Sequence, residues 1–529
     1  MKNKNILVGS VIVASLAIVG VFSCTKNLNK TNPNALPVTG YFNTSAELLQ
    51  GTNAIYAVLH SLNMAGREWF FIHDLRSDDV ASGGGQLEVP RAQILNGGTT
   101  PSNSVMNAVW ENYYTIILRA NTVINAGPTV TDNTSLRDRC VGEAKFLRAW
   151  TYYDLVTMWG PVPLYTKPVL TPTDFQPRAA VADVYKQVIQ DLSDAAAALP
   201  GKSAYGTTDL GRATASAAYA LLGRAYMQQG DYADAKTALL KIPSSGPDGY
   251  SLVSNYNDNF LEETEFNNES IFEIVFFDKG DQNFNWGGNS TGDGPTADQT
   301  TVRNQEYCPV AWRNLIPSDG LLAEFENTAT GASKTDPRFG FVFYRTGDTF
   351  DNGTATLTDA EQNGNTSTYL GVTQKISYRK YTLIYKQSAS QASFYPGGNN
   401  MRVIRYAEVL LMLAECENEL GNSANAIAYL NQVRARPSVN MPPYPTAQFP
   451  VGTKDQITQA LIHEKRVEMS DEEVRNIDIL RWRAKGYLKT EPFSYFKAGR
   501  DEVLPIPQSE IDNNPKLGSG GIPAQNPGY

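Results

Sequence analysis

Few residues in this 529-residue chain have a spacing that predicts catalysis. The three histidines are far apart in the sequence: His60, His73 and His463. His463-Glu464 begins an H-E-x-x-H zinc motif, but the second histidine is missing. Residues 292–297 match the loose G-x-G-x-x-A dinucleotide pattern, yet Pro295 interrupts it and no helical pattern follows to bring a helix N-terminus to a phosphate. The sequence therefore predicts no metal site and no cofactor.

Charged residues between positions 468 and 481 recur every three or four residues. They are Glu468, Glu472, Arg475, Asp478 and Arg481. Opposite charges at this spacing pair along one helix face and contribute ~0.2–0.5 kcal/mol each, so this pattern predicts structural ion pairs. A carboxylate pair for glycoside hydrolysis stays open as an alternative, because a sequence does not show the separation of carboxylates in space. No motif nominates such a pair.

The N-terminus has the features of a lipoprotein signal peptide. Two lysines precede an apolar run over residues 6–22, and Ser23 and Cys24 follow at once. The run is shorter than the ~20 residues that comfortably span a bilayer. A cysteine directly after a small residue is the position at which a lipid is attached before cleavage. We therefore expect residues 1–23 to be a signal peptide and Cys24 to carry the lipid.

The overall composition argues against nucleic acid as a partner. The formal net charge is −9, and lysine and arginine form no dense block of the kind that binds phosphates. The three cysteines after Cys24 are widely spaced without a C-x-x-C pair, which predicts neither a disulfide framework nor a zinc knuckle. A chain of this length buries a sizeable core without such cross-links.

Periodicity predicts paired helices. In residues 213–229 apolar residues recur at i, i+3, i+4 and i+7, and Gly230-Asp231 ends the pattern. A second helical stripe follows over residues 232–239, so the two segments form a hairpin that is similar to a tetratricopeptide unit. A shift of the sequence by 191 positions superimposes this unit on residues 405–434. Two further helix pairs are predicted, over residues 105–125 with 136–159 and over residues 454–469 with 471–485.

Long stretches rich in proline, glycine and asparagine separate these helices, as in residues 280–295 and 346–365. We predict a mainly α fold in which a tetratricopeptide-like helical-hairpin scaffold carries long loop-rich insertions, the largest over about residues 245–400. Long loops on a rigid frame are where binding residues usually lie.

A family resemblance rests on three segments. Residues 146–164 contain R-A-x-x-Y-x-x-L followed by W-G-x-V-P, which resembles the signature of the SusD/RagB family. Residues 464–482 are similar to the family's E-x-R-x-x-E helix pair, and the C-terminal segments 504–517 and 525–529 resemble its C-terminal seal. These motifs occur in the family's order, so the resemblance implies one domain over residues 24–529.

This resemblance also implies a function. It implies capture of an oligosaccharide or polysaccharide and delivery to a SusC-like, TonB-dependent transporter, without catalytic residues. The protein is then expected at the outer membrane, attached through its lipid and facing the cell exterior. Capture of peptides by a RagB-like uptake subunit is the alternative.

Two loop regions have the side chains that sugar binding needs, because pyranose rings stack on aromatic rings and their hydroxyls bind short polar side chains. In the family, ligand contacts follow an S-D-[DE] element, which here is Ser77-Asp78-Asp79. The residues implied by this resemblance are Asp78, Asp79, Gln86, Arg91 and Asn96. The aromatic residue expected after Arg91 is replaced by Ile94 and Leu95.

The second region comprises residues 281–289 and 307–314, and it could supply the missing stacking surface. Its candidates are Trp286, Tyr307 and Trp312. Asn285 and Arg313 are neighbours that can form hydrogen bonds. The structural alternative is that these aromatic residues anchor loops on the helical frame. Four other tryptophans lie in helical stripes and are expected in the core: Trp110, Trp150, Trp159 and Trp482.

Overall fold

The structure of this protein is a computed structural model that describes residues 41–278, 299–394 and 396–529. The predictions for the signal peptide, for Cys24 and for Trp286 lie outside these ranges. Within the described residues, no helix has both the length and the apolar composition needed to cross a membrane.

The N-terminal part of the chain is built from helices that pack side by side. They are α1 (Ser45–Leu59), α2 (Glu68–Leu75), α3 (Val89–Leu95), α4 (Ser104–Ala126), α5 (Thr134–Trp159), α6 (Val181–Ala198), α7 (Ala215–Gln229) and α8 (Tyr232–Leu239). Asn103 and Asn133 cap α4 and α5 by accepting hydrogen bonds from backbone N–H groups of the first turns. The long helix α5 packs between α4 and α6, and α6 continues the layer onto α7.

The predicted hairpin of α7 and α8 is confirmed. Gly230 ends α7 in the left-handed conformation, with φ of 79°, so the chain reverses and α8 folds back on α7. Gly223 faces α8 at the contact. A Cβ atom at Gly223 would lie 2.5 Å from a methyl carbon of Leu239, so a glycine allows the two helices to approach closely.

The C-terminal part repeats this arrangement. Its helices are α9 (Arg303–Tyr307), α10 (Asp319–Glu324), α11 (Arg338–Val342), α12 (Ala389–Phe394), α13 (Tyr406–Glu419), α14 (Ser423–Arg434), α15 (Lys454–Met469), α16 (Arg475–Ala484) and α17 (Gln508–Asn513). α13 and α14 begin 191 residues after α7 and α8, as the sequence shift predicts. The mainly α fold with tetratricopeptide-like hairpins is therefore confirmed.

One predicted helix pair differs in the structure. α15 packs mainly on α13, whereas the main helical contact of α16 is α2. The turn between α15 and α16 contains two residues in the left-handed region, Asp471 with φ of 61° and Glu473 with φ of 58°. This turn redirects the chain, so α16 does not fold back along α15.

Short strands connect the helices. They are β1 (Val80–Ser82), β2 (Val162–Pro163), β3 (Arg178–Ala179), β4 (Ser270–Ile274), β5 (Leu315–Pro317), β6 (Phe343–Arg345), β7 (Thr349–Phe350), β8 (Ala355–Thr356), β9 (Ser367–Tyr369), β10 (Val372–Gln374), β11 (Ile376–Tyr378) and β12 (Met401–Arg405). In the described ranges they form six antiparallel pairs: β1–β5, β2–β3, β4–β12, β6–β11, β7–β8 and β9–β10. The β1–β5 pair is the one that positions the candidate site.

The interior contains both aromatic side chains and ion pairs. The four tryptophans of the helical stripes are buried, as expected. The charges of residues 468–481 pair largely across elements instead of along one helix face. Glu468 lies 2.7 Å from Arg405 and 2.8 Å from Arg436, and Glu472 binds Arg405 and Lys380. These buried pairs are structural, as predicted, but tertiary packing supplies most of the partners.

Candidate functional site

An exposed tryptophan lies where the loop after β1 meets the loop before β5. Strand pairing aligns Ser82 with Leu315, and the backbone N–H of Gly83 then donates to the carbonyl of Asn314 at 2.8 Å. Trp312 precedes this contact and is 37% exposed. The exposed face of an indole ring can stack on a ligand, so this junction is the candidate site.

Glycine allows three backbone segments to cross beside Trp312. A Cβ atom at Gly83 would lie 1.8 Å from the carbonyl oxygen of Arg313. A Cβ atom at Gly364, whose φ is 74°, would lie 1.8 Å from the carbonyl oxygen of Gly83. The backbone N–H of Asn365 donates to that same Gly83 carbonyl at 2.7 Å. The surface beside the Trp312 ring is therefore formed by closely packed backbone that admits no larger side chain at these two positions.

Arg313 holds this crossing together from inside. Its side chain is fully buried and donates to Ser377 Oγ at 2.6 Å and to the carbonyls of Asn363 and Asn365 at 2.6 and 2.7 Å. A further bond reaches the carbonyl of Ile376 at 2.8 Å. Burial lowers the pKa of the guanidinium group to about 10. Arg313 points away from solvent, so its role is to position Trp312.

Three amide side chains bind the backbone segments that cross at the tryptophan. Gln86 Nε2 donates to the carbonyls of Trp312 at 3.1 Å and Arg313 at 3.0 Å. Asn363 Nδ2 donates to the carbonyl of Ala311 at 3.2 Å, and Asn365 Nδ2 donates to the carbonyl of Ser82 at 3.1 Å. Asn363 and Asn365 are exposed and Gln86 is half-buried. We call the group Gln86, Glu88, Trp312, Asn363 and Asn365 the Trp312 surface.

A layer of charge and aromatic rings supports the Trp312 surface. The guanidinium carbon of Arg67 lies 6.0 Å from the ring centres of both Trp312 and Phe71, within the range of cation–π attraction. Arg67 also pairs with Glu88 at 3.1 Å and with Glu306. The guanidinium carbon of Arg91 lies 4.5 Å from the ring centre of Phe71. The Trp312 ring is thus supported by Arg67, whose position is held by its ion pairs.

The only carboxylate of the Trp312 surface, Glu88, is ionised near neutral pH. Burial raises its pKa, but ion pairs with Arg91 and Arg67 outweigh burial and bring the pKa below its ordinary value. The side chain of Glu88 is 52% exposed, whereas that of Arg91 is 1% exposed and also pairs with Glu68 at 2.6 Å. The negative charge reaches solvent while the positive charges lie underneath.

Comparison with known proteins gives the family. Residues 268–529 match the model of the SusD family, and residues 26–227 match a related model described as starch-binding associating with outer membrane. The chain belongs to the SusD family. A tetratricopeptide-repeat model matches residues 216–242, which correspond to the α7–α8 hairpin.

Relatives in this family align over nearly the whole chain. The chain is 26% identical to SusD-like protein P25 of Formosa agariphila, covering 98% of both chains. Among solved structures, it is similar to a laminarin-binding SusD-like protein, with 26% identity and a TM-score of 0.71 over 92% of this chain and 100% of that one. Surface glycan-binding protein A from Bacteroides thetaiotaomicron, in complex with laminarihexaose, has 23% identity and a TM-score of 0.70 with the same coverage. This last likeness shows the fold.

Two residues implied by the S-D-[DE] element face the helical scaffold. Asp78 lies 2.7 Å from Arg475, and Asp79 lies 2.8 Å from Arg466. Burial raises the pKa of both carboxyls, but the guanidinium groups outweigh it at Asp78 and lower that pKa to about 2. These ion pairs attach the start of β1 to α15 and α16, so Asp78 and Asp79 hold the loop that carries Gln86.

The remaining candidates in the described residues also lie away from the exposed ring. Tyr307 is fully buried, and its hydroxyl donates to Asp74 at 2.7 Å while its ring packs on Phe71 at 5.5 Å. Asn96 is exposed at the end of α3, but the adjacent Gly97 packs against Tyr495 in the C-terminal segment. Of the predicted ligand residues, the structure brings together Gln86 and Trp312, with Arg91 beneath them.

Glu88, Asn363 and Asn365 belong to the candidate site but are not among the residues that the sequence indicates. Asn365 is 283 positions from Ser82, to which it is hydrogen-bonded. No local pattern marks the asparagines, whereas Glu88 is two positions from Gln86 and lies within the loop that the sequence indicates. In the described part of the chain, no cluster of histidine, cysteine or acidic side chains is arranged to hold a metal ion.

A concave region lies between α4 and α17. It is a cleft of about 320 Å³ lined by rings and aliphatic groups that include Tyr114, Leu118 and Tyr165. Its buried polar groups already have protein partners, since the Tyr114 hydroxyl donates to the carbonyl of Pro163 and the Tyr165 hydroxyl accepts from the backbone of Gln176. The Trp312 surface, with polar groups at an exposed ring, is the better candidate.

Proposed function

We propose that this SusD-family protein captures an oligosaccharide at the cell surface and delivers it to a SusC-like, TonB-dependent transporter in the outer membrane. The observation that carries this proposal is the exposed Trp312 side chain at a backbone crossing that the amides of Gln86, Asn363 and Asn365 bind. The apolar C–H face of a pyranose stacks on an aromatic ring, and its hydroxyls bind amide and carboxylate groups. The laminarin and laminarihexaose named for the two similar structures support a glycan as the ligand.

We propose binding without turnover. The carboxylate of the Trp312 surface is Glu88, and Arg67 and Arg91 both engage it. Its lowered pKa leaves it without a proton to donate at neutral pH, whereas a glycosidase needs a protonated acid next to a second carboxyl group. A glycan held here is therefore released intact.

A lipid anchor holds the protein at the membrane, and further side chains support glycan binding. Cys24 carries a lipid that attaches residues 24–529 to the outer membrane, with the Trp312 surface facing the exterior. The family description of outer-membrane association is consistent with this location. Trp286 adds a second stacking ring. The residues Asp78, Asp79, Arg91 and Tyr307 act as supports for the loops that bind the glycan.

The test compares two exposed aromatic residues. Trp312 is 37% exposed and Phe266, in a different loop beside Gly211, is 36% exposed. Affinity electrophoresis against a broad polysaccharide panel identifies the glycan, and calorimetry then measures its affinity for the wild type, Trp312→Ala and Phe266→Ala. We expect Trp312→Ala to weaken binding by ~1–3 kcal/mol and Phe266→Ala to leave it unchanged. Equal effects of the two substitutions, or binding of short peptides and of no glycan, would refute the proposal.

A further inference from the structure

Hydrogen-bond acceptors predominate on the Trp312 surface. Gln86 uses both amide hydrogens on the carbonyls of Trp312 and Arg313. Asn363 and Asn365 each use one amide hydrogen on a backbone carbonyl. The side-chain oxygens of these three amides accept no hydrogen bond from the described residues. The Trp312 surface therefore offers a ligand three side-chain carbonyl oxygens and the exposed carboxylate of Glu88.

The guanidinium groups of Arg67 and Arg91 are already matched by carboxylates. Arg67 contacts Glu306 and Glu88, and Arg91 contacts Glu68 and Glu88. Two guanidinium groups thus face three carboxylates, and the most exposed of these is Glu88, with 52% of its side chain exposed. A negatively charged ligand group would therefore meet the exposed carboxylate of Glu88 before either of these two buried guanidinium groups.

Lys375 is a further cation close to this surface. Its ammonium group donates to the carbonyl of Gly364, on the loop between Asn363 and Asn365. Burial and the nearby Arg313 both lower its pKa. This hydrogen bond attaches the lysine side chain to the backbone of that loop.

We infer that Glu88 is a specificity-determining residue of the Trp312 surface, and that this surface selects uncharged, hydroxyl-rich glycans over glycans that carry carboxylate or sulfate groups. The inference rests on the proposed function and names the class of glycan. A sugar hydroxyl donates a hydrogen bond and satisfies a carbonyl or carboxylate acceptor. A uronate or sulfate oxygen only accepts, so the carbonyl oxygens offer it no hydrogen bond and the charge of Glu88 repels it.

Matched oligosaccharides test this inference. Calorimetry measures the affinities of neutral hexasaccharides, with laminarihexaose among them, and of galacturonate and mannuronate hexasaccharides of the same length. The proteins are the wild type, Glu88→Gln and a control, Glu111→Gln, which removes the same charge from an exposed position on α4. Glu88→Gln keeps the side-chain shape, and Arg67 retains its ion pair with Glu306; thermal melting verifies the fold.

The expected result is a preference of the wild type for neutral hexasaccharides by about tenfold or more. Glu88→Gln is expected to reduce this preference by about three- to tenfold, mostly by strengthening the binding of uronates, and the effect should shrink in about 0.5 M salt because the interaction is electrostatic. Glu111→Gln should retain the wild-type preference.

Four other outcomes overturn the inference. A wild type that prefers uronates, or a Glu88→Gln variant with an unchanged preference, refutes the inference and leaves glycan capture standing. An equal loss of affinity for both classes in Glu88→Gln makes Glu88 a structural support only. If the wild type binds no oligosaccharide of either class, the proposed function fails and the inference fails with it.

Discussion

The side-chain amide of Gln86 binds the backbone carbonyl of Trp312 across 226 residues of sequence, with a nitrogen–oxygen distance of 3.1 Å. The same nitrogen also donates to the next carbonyl, that of Arg313, at 3.0 Å. One side chain thus fixes the backbone on both sides of the Trp312–Arg313 peptide bond. The orientation of the exposed ring depends on this contact between two loops.

Gln86→Glu should therefore weaken glycan binding without unfolding the protein. The substitution removes both donors and places a carboxylate against two carbonyl oxygens, and a lost hydrogen bond of this kind costs about 0.5–1.5 kcal/mol. We expect the affinity for glycan to fall about threefold or more while the melting temperature changes little. Asn96→Ala is the control, because Asn96 is exposed beside the Tyr495 contact of Gly97. An equal loss of affinity in Asn96→Ala would place the site along α3 instead.

Arg313→Met should reduce both stability and binding. The arginine donates to four acceptors in the interior, and methionine leaves those acceptors without donors at a cost of about 2–4 kcal/mol. Urea unfolding measures the stability and calorimetry measures the affinity for glycan. Arg345→Met is the control, since Arg345 is exposed. Unchanged stability in Arg313→Met would show that the loops are held by other contacts.

His463 should make stability depend on pH above neutrality. Burial lowers the pKa of its imidazole, but the carboxylates of Glu324, at 2.7 Å, and Glu326 outweigh burial and raise the pKa to about 9. The folded protein holds a proton that the unfolded chain loses near its ordinary pKa of about 6.5. This contribution is full below that ordinary pKa and disappears as the pH rises through about 9.

The predicted loss of stability for the wild type between about pH 6.5 and 9.5 is about 2–3 kcal/mol larger than for His463→Gln. Urea unfolding of both proteins at the two pH values measures the difference. Comparison with His463→Gln cancels the titration of other groups. Parallel pH profiles for the two proteins would contradict the prediction.

Proton binding by Asp74 should make the stability of the folded protein fall with rising pH over a more acidic range than His463 does. Burial and the charge of Asp471 raise its pKa to about 8, despite Arg303 and the hydrogen bond from Tyr307. The folded state keeps a proton that the unfolded chain releases near its ordinary pKa, so stability falls as the pH rises from about 4 to 8. Asp74→Asn removes this cost, and the new amide oxygen can still accept the hydrogen bond from Tyr307.

We expect Asp74→Asn to be more stable than the wild type at about pH 8 and closer to it at about pH 4, as measured by urea unfolding. A stability difference between the two proteins that stays constant over this range would show that Asp74 does not bind a proton in the folded state.

The sequence could predict the helical frame because the signals for a helix are local. The stripe of residues 213–229, the left-handed Gly230 and the 191-residue shift need no knowledge of distant contacts, and the structure has α7, α8, α13 and α14 at those positions. The same reasoning failed for α15 and α16, because the left-handed turn at Asp471 and Glu473 sends α16 to α2. Helix periodicity specifies which face is apolar but does not specify the partner.

The distinction between binding and supporting residues required the tertiary structure. Arg91 and Tyr307 have side chains suited to sugars, yet both are buried, whereas Trp312 remains exposed. The sequence marks all three as candidates, and only the packing of other segments determines which side chain reaches solvent. Resemblance to the family could therefore indicate the loop but not the exposed atoms.

By itself, the sequence determined the class of protein: paired helices with a repeated unit and the ordered motifs of the SusD family. Tertiary structure alone decided the site, since Gln86, Trp312 and Asn365 meet through backbone crossings that only glycine at positions 83 and 364 permits. The physical reason is the sequence separation over which each kind of contact acts. Helix formation depends on neighbours three or four residues apart, whereas a binding surface depends on contacts between residues more than two hundred positions apart, whose geometry exists only in the folded chain.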